Sequence, residues 1–145
     1  PRWVRHSAKR PIAVGGWGVS VHDTKAFATY PEVLSSTVGD GIGFVLNGDG
    51  IVCIDLDDCV DGGVVNPVAA RFVQQLGDTY SEFSPSGRGL HVWGYSDLAK
   101  GRRFTVGGLK VEAYPAGRFI TVTGKPYRPG KLDVLYFESA VYKLA

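Results

Sequence analysis

Residues 50–59, Gly-Ile-Val-Cys-Ile-Asp-Leu-Asp-Asp-Cys, constrain this chain more than any other stretch. Ile51 to Ile54 is an uninterrupted apolar run, bounded upstream by Asn47-Gly48-Asp49-Gly50, which is the pattern of a buried strand leaving a turn. Strand side chains alternate between faces, so Asp55 and Asp57 project together while Ile54 and Leu56 point the other way. Two like charges on a half-buried strand repel each other and resist desolvation. A divalent cation relieves both costs, and hard oxygen ligands at this spacing suit Mg²⁺ or Mn²⁺. The competing reading is a solvated strand end, where Asp is common before a turn. The acidic pair alone leaves both readings open.

Length and composition set the frame. A chain of 145 residues fits a single domain with a real core. Twenty glycines and 12% aromatic residues suit a strand-rich, turn-rich protein, and a formal charge of +2 singles out no nucleic-acid partner. There is no run of about 18 apolar residues and no charged-then-apolar leader, so the expectation is a cytoplasmic protein with no membrane partner. Cys53 and Cys59 match no zinc spacing and make a poor disulfide pair, so no zinc is expected.

In chain order, Pro1 to Pro11 reads as a basic arm carrying Arg2, Arg5, Lys9 and Arg10 with Trp3 and His6. Such an arm suits phosphates or simply solvent. Residues 14–18 form a turn, Asp23-Thr24 can cap a short helix, and Pro31 suits the first turn of a helix to about Ser36. Gly41 to Leu46 reads as a strand that pairs with the aspartate strand through the intervening turn. Asn66-Pro67 opens the clearest helix, Pro67 to Leu76, with Gly77 as its stop and Val68, Phe72, Val73 and Leu76 on one face. Strand patterns follow at Thr79–Phe83, Leu90–Tyr95, Leu109–Tyr114 and Phe119–Thr123, and the tail from Lys125 ends in a short amphipathic piece. A strand pair, a helix and then a run of strands predict an α+β fold with a mostly antiparallel sheet.

Two further constellations bear on the acidic pair. Ser84-Pro85-Ser86-Gly87-Arg88-Gly89-Leu90-His91 is a glycine-rich loop running into a strand. Glycines let backbone approach an anion, serine hydroxyls donate to it, and Arg88 adds charge-assisted donors. The Gly-Lys-Ser/Thr ending of a P-loop is absent, and an ordinary hairpin loop with a core histidine is the competing reading. In Lys110-Val111-Glu112-Ala113-Tyr114, Glu112 shares a strand face with Lys110 and Tyr114 and is a candidate third carboxylate. Arg118 opens the next strand and can reach the same face. A calcium loop over Asp55-x-Asp57-x-Cys59-x-Asp61 fails, because Cys59 and Val60 stand where ligand and glycine belong and a strand precedes it.

Ile54-Asp55-Leu56-Asp57, then Ser84 to His91, then Val111-Glu112 resemble, in this order, the three motifs of the archaeo-eukaryotic primase superfamily. Within it the chain is most similar to the bifunctional DNA primase/polymerase (prim-pol) domains of phages and plasmids. Pro1-Arg2-Trp3-Val4, Lys9-Arg10-Pro11, Gly41 to Leu46, Gly117-Arg118-Phe119 and Thr123-Gly124 extend the resemblance to about Pro126.

The resemblance implies a small α/β half packed on an RRM-like half, with the active site on the sheet between them, all within one catalytic domain over 1–145. Asp55, Asp57 and Glu112 would bind two Mg²⁺ or Mn²⁺ ions, and His91 would contact the phosphates of the incoming nucleotide. Ser84, Ser86, Arg88, Lys110 and Arg118 are the further candidate nucleotide-binding residues. Template contacts would come from Arg2, Arg5, Arg102, Arg103, Lys125 and Arg128, with Trp3, Trp17 or Trp93 to stack on bases. The implied partners are a single-stranded DNA template, NTPs or dNTPs, and a separate helicase or accessory domain, in the host cytoplasm if phage-encoded. The rival functions are a metal-dependent nucleotide phosphohydrolase and a non-catalytic single-strand-binding replication module.

Overall fold

The stretch read as a basic arm is a β-hairpin. In the computed structural model, which describes all 145 residues, β1 (Trp3–Ser7) turns through Ala8 and Lys9 into β2 (Arg10–Ile12). Both turn residues have positive φ, 48° at Ala8 and 65° at Lys9. L-residues pay roughly 1–2 kcal/mol each for that conformation. Asp40 holds the turn by accepting the Ala8 N–H at 3.0 Å, while the Asp40 N–H donates to the His6 carbonyl.

After a 3-10 turn at Thr24–Ala26 come α1 (Tyr30–Ser35), β3 (Gly41–Asn47) and β4 (Ile51–Asp57). Helix α1 starts one residue before Pro31 because Thr29 and Glu32 form a reciprocal capping box. A two-stranded ribbon, β5 (Val60–Asp61) and β6 (Val64–Val65), leads into α2 (Pro67–Leu76), capped by Asn66 and stopped at Gly77. Then follow β7 (Ser81–Phe83), β8 (Leu90–Tyr95), β9 (Arg102–Val106), β10 (Leu109–Tyr114), β11 (Ala116–Val122), β12 (Pro126–Arg128) and α3 (Phe137–Leu144). No helix is long and apolar enough to cross a membrane.

Apart from the β5–β6 ribbon, the strands form two antiparallel sheets, ordered β11-β3-β1-β2 and β12-β7-β8-β4-β10-β9. The fold is α+β, as the element order predicts. On the six-stranded sheet, Val52, Ile54 and Leu56 of β4 pack under α2 and α3 against Phe72, Val73, Leu76 and Phe137. Removing a side chain like the fully buried Phe72 costs about 3–5 kcal/mol. On the opposite face, Cys53 and Trp93 pack against Leu46 and Ile120 of the four-stranded sheet. Asp55 and Asp57 continue the face of Cys53, so the second sheet builds their surroundings.

Candidate active site

Strand register writes the site. Glu112, Asp55, His91 and Glu82 are successive cross-strand partners on β10, β4, β8 and β7, one line of side chains over four strands. Lys110 and Asp57 are partners one step further along β10 and β4. The three motifs, far apart in sequence, meet on one face.

His91 is buried, with Nδ1 3.0 Å from the Thr121 carbonyl of β11. A carbonyl only accepts, so Nδ1 carries the proton and Nε2 is left facing Asp55, 3.7 Å from Oδ1. Burial pushes the Asp55 carboxyl above its ordinary range. His91 and Arg118 draw it back down, while Glu112 and Asp57 push it further up. Glu112 receives Arg103 Nε at 3.0 Å and a short hydrogen bond from the Tyr114 hydroxyl. Burial and that bond raise the Tyr114 phenol to about 12. The Arg118 guanidinium lies 3.6 Å from the centre of the Tyr114 ring.

Hard oxygens crowded onto one face, with Asp55 resisting ionisation, are the donor set a divalent cation fits. As the side chains stand, no three His, Cys, Asp or Glu groups converge on one ion position. Glu112 is turned to Arg103 and Tyr114, and a cation would have to exchange those bonds for its own.

The glycine-rich loop is folded onto itself. Ser84 Oγ accepts the Gly89 N–H at 3.0 Å, Ser86 Oγ accepts the Arg88 N–H at 3.2 Å, and the two hydroxyls are 3.2 Å apart. Gly89 is required because a Cβ there would lie 2.5 Å from the Leu56 carbonyl oxygen of β4. Arg88 pairs with Asp58 at 2.8 Å, and Ser86 and Arg88 line a cleft of about 760 Å³. His91 lines a different cleft, about 560 Å³, with His6, Lys9, Pro85, Phe119 and Thr121. Ser84 and Ser86 are thus engaged inside the loop, and Arg88 and Ser86 share no cleft with His91.

Sequence reading left four of these groups out of the site, with Lys9 and His6 named only within the basic arm. Lys9 and His6 reach the His91 cleft through the unforeseen hairpin, and Thr121 contributes only its backbone. Glu82 was legible in principle. Once His91 is accepted, counting back through the loop from Leu90 and Phe83 pairs it with Glu82.

No protein-family model matches the chain. Over 92% of its length it is 37% identical to the DNA primase-polymerase of Nitratiruptor phage NrS-1. The chain belongs to the phage prim-pol family. It spans 20% of the length of that relative.

The basic residues of this prim-pol chain divide sharply. Arg2 is tied to the Val45 carbonyl and Asp49 and lies over Phe44, and Arg5 donates to the Val38 carbonyl at 2.7 Å. These two hold β1 in its sheet. Arg102 pairs with Glu138 beside Phe104 and Phe137, and Arg128 pairs with Asp78. Trp93 is 4% exposed and unavailable for base stacking, whereas Trp17 is 65% exposed. Lys110, Lys125 and Arg103 remain exposed, Arg103 while paired to Glu112.

Proposed function

We propose that this chain catalyses template-directed nucleotidyl transfer. A primer 3′-hydroxyl attacks the α-phosphorus of a nucleoside triphosphate, the α–β bond breaks, and pyrophosphate leaves. The observation that carries the reading is the line Glu112–Asp55–His91, which unites all three motifs on adjacent strands. The printed name of the phage relative supports the same chemistry.

Asp55, Asp57 and Glu112 would hold two divalent cations, which would activate the hydroxyl and screen the leaving pyrophosphate. His91 would donate from Nε2 to a phosphate oxygen as the imidazolium, with a proton on both ring nitrogens, and Lys9 lies on the neighbouring wall of the same cleft. Lys9 forms no ion pair within the chain, so its charge is free for an anion. Arg118, Lys110 and Arg103 lie along the acidic end of the line, where the primer terminus and triphosphate meet. Lys125 and Trp17 are the exposed candidates for the template strand. Catalysis of this kind is positioning and electrostatics, with no covalent enzyme intermediate.

The test is incubation with a primed single-stranded template, labelled NTPs or dNTPs, and Mg²⁺ or Mn²⁺. Primer extension supports the reading. Free phosphate reassigns the site to a phosphohydrolase, and binding without product reassigns it to a single-strand-binding module. With a net charge of only +2, the chain should extend primers better than it starts them and bind single strands in a strongly salt-dependent way. A helicase or accessory domain tethered to it would supply the missing grip by raising local concentration to around millimolar.

A further inference from the structure

Glu82 is the only acid among the buried residues, 0% exposed, and the chemistry above does not use it. A buried carboxylate is expensive unless fully bonded, and this one is surrounded by donors. Oε1 accepts from the Tyr80 hydroxyl at 2.9 Å and the Gly124 N–H at 3.1 Å. Oε2 accepts from the Thr123 N–H at 3.0 Å and lies 3.6 Å from His91 Nδ1. Burial raises its carboxyl, but the neighbouring His91 and the bonds from Thr123, Tyr80 and Gly124 prevail and hold it below the usual range.

We propose that Glu82 is a positioning residue for His91, holding the ring with Nδ1–H turned inward so that Nε2 faces the nucleotide cleft. The Thr121 carbonyl accepts the Nδ1–H, and the Glu82 charge beside it disfavours both the other tautomer, which would set the Nδ1 lone pair against the carboxylate, and the flipped ring, which would replace the N–H there by a C–H. A mere staple for the Thr123–Gly124 backbone would need acceptors but no particular relation to His91. The inference uses the nucleotidyl-transfer reading only to name the ligand. The ring geometry stands apart from it.

Two measurements separate these roles. The first is ring ¹⁵N NMR of the metal-free protein, which has three histidines to assign. Wild type should show His91 protonated at Nδ1, and Glu82→Gln, whose amide sets N–H against N–H, should change that signature while His22 keeps its own. The second is dATP binding with Mg²⁺ and no template, measured for Glu82→Gln, His91→Ala and the double variant. Loss of one charge-assisted contact predicts about tenfold weaker binding from Glu82→Gln, and no further loss when His91 is already alanine. Equal loss in both backgrounds, or an unchanged His91 signature, overturns the proposal. If the ring changes but even wild type fails to bind dATP, the positioning role holds and the function above falls. Should Glu82→Gln not fold, Tyr80→Phe removes one donor and keeps the charge. It should weaken dATP binding only where His91 is present, and a His91-independent loss overturns the proposal.

Discussion

Asp55 and Glu112 stand directly opposite each other across β4 and β10, two carboxylates on one face of the sheet. Like charges so placed destabilise a strand pair. The fold tolerates this by giving Glu112 to Arg103 and Tyr114 and by setting His91 on the other side of Asp55. The arrangement costs stability, which the proposed function would put to use in holding a cation, and its consequences can be measured.

Asp55→Asn and Asp57→Asn should each abolish transfer by more than the roughly 10²–10³-fold that follows loss of one oxyanion donor. The folded Asp55 carboxyl lies above its ordinary 3.8, so its stabilising contribution exists at low pH and is lost as pH rises through the folded value. In chelator at neutral pH, Asp55→Asn should therefore melt at the same temperature as wild type or higher. A lower melting temperature with activity retained would mark Asp55 as structural.

Glu82 has the opposite sign. Its folded carboxyl lies below 4.5, so it stabilises the protein above that pH and the contribution drains away as pH falls through the folded value. Acid unfolding followed by circular dichroism should begin at higher pH in wild type than the remaining carboxylates alone would give. Glu82→Gln should flatten that limb below about pH 4.5.

His91→Ala should weaken nucleotide binding by about 1.5–3 kcal/mol, the range for a bond to a charged group, with single-strand binding unchanged. Arg88→Ala, across the loop and paired with Asp58, should affect nucleotide binding less than His91→Ala does. Titrations of dATP and of an oligonucleotide on both variants check the ranking. The reverse order would place the triphosphate in the Arg88 cleft.

Lys9→Gly should move stability and binding in opposite directions. Glycine is at ease at φ 65°, so the variant should gain up to about 1 kcal/mol in denaturant unfolding. It should also bind triphosphate more weakly, because Lys9 lines the His91 cleft. Unchanged dATP affinity would remove Lys9 from the site.

Gly89→Ala should be among the most damaging single-methyl changes in the chain. Its Cβ would meet the Leu56 carbonyl of β4 at 2.5 Å, and backbone cannot step aside as a side chain can. The strain should cost about 1–3 kcal/mol by thermal melting, with loss of nucleotide binding as His91 shifts.

Much of this was legible because local signals agreed with the tertiary answer. The apolar run and turn marked β4, alternation marked β8 and β10 to the residue, and Asn66 and Gly77 bracketed α2. The first hairpin was hidden because Arg2 and Arg5 look like solvated charges. Their partners, the carbonyls of Val45 and Val38, are brought near only by folding. Glu82 was hidden for a related reason. An acid inside a short strand signals exposure, and the donors that bury it come from Thr123 and Gly124. The loop serines have hydroxyls that suit an anion, and only the folded loop shows them bonded to each other and to the Gly89 N–H.

The order of the strands carries a consequence for synthesis. The four-stranded sheet draws on residues 3–12 and 41–47 and is closed by β11, which follows every central strand of the other sheet. A ribosome adding about 5–20 residues per second completes β4 and β8 ahead of β10 and β11, which only Pro115 separates. Asp55 and His91 can therefore be paired early, while Glu112, then the Thr121 carbonyl and the Thr123–Gly124 donors, arrive afterwards. The aspartates of the site are laid down first, and the histidine is aimed last. A nascent chain halted before β11 would present its carboxylates to solvent with Glu82 beside the imidazole but no Thr121 carbonyl to hold the ring proton.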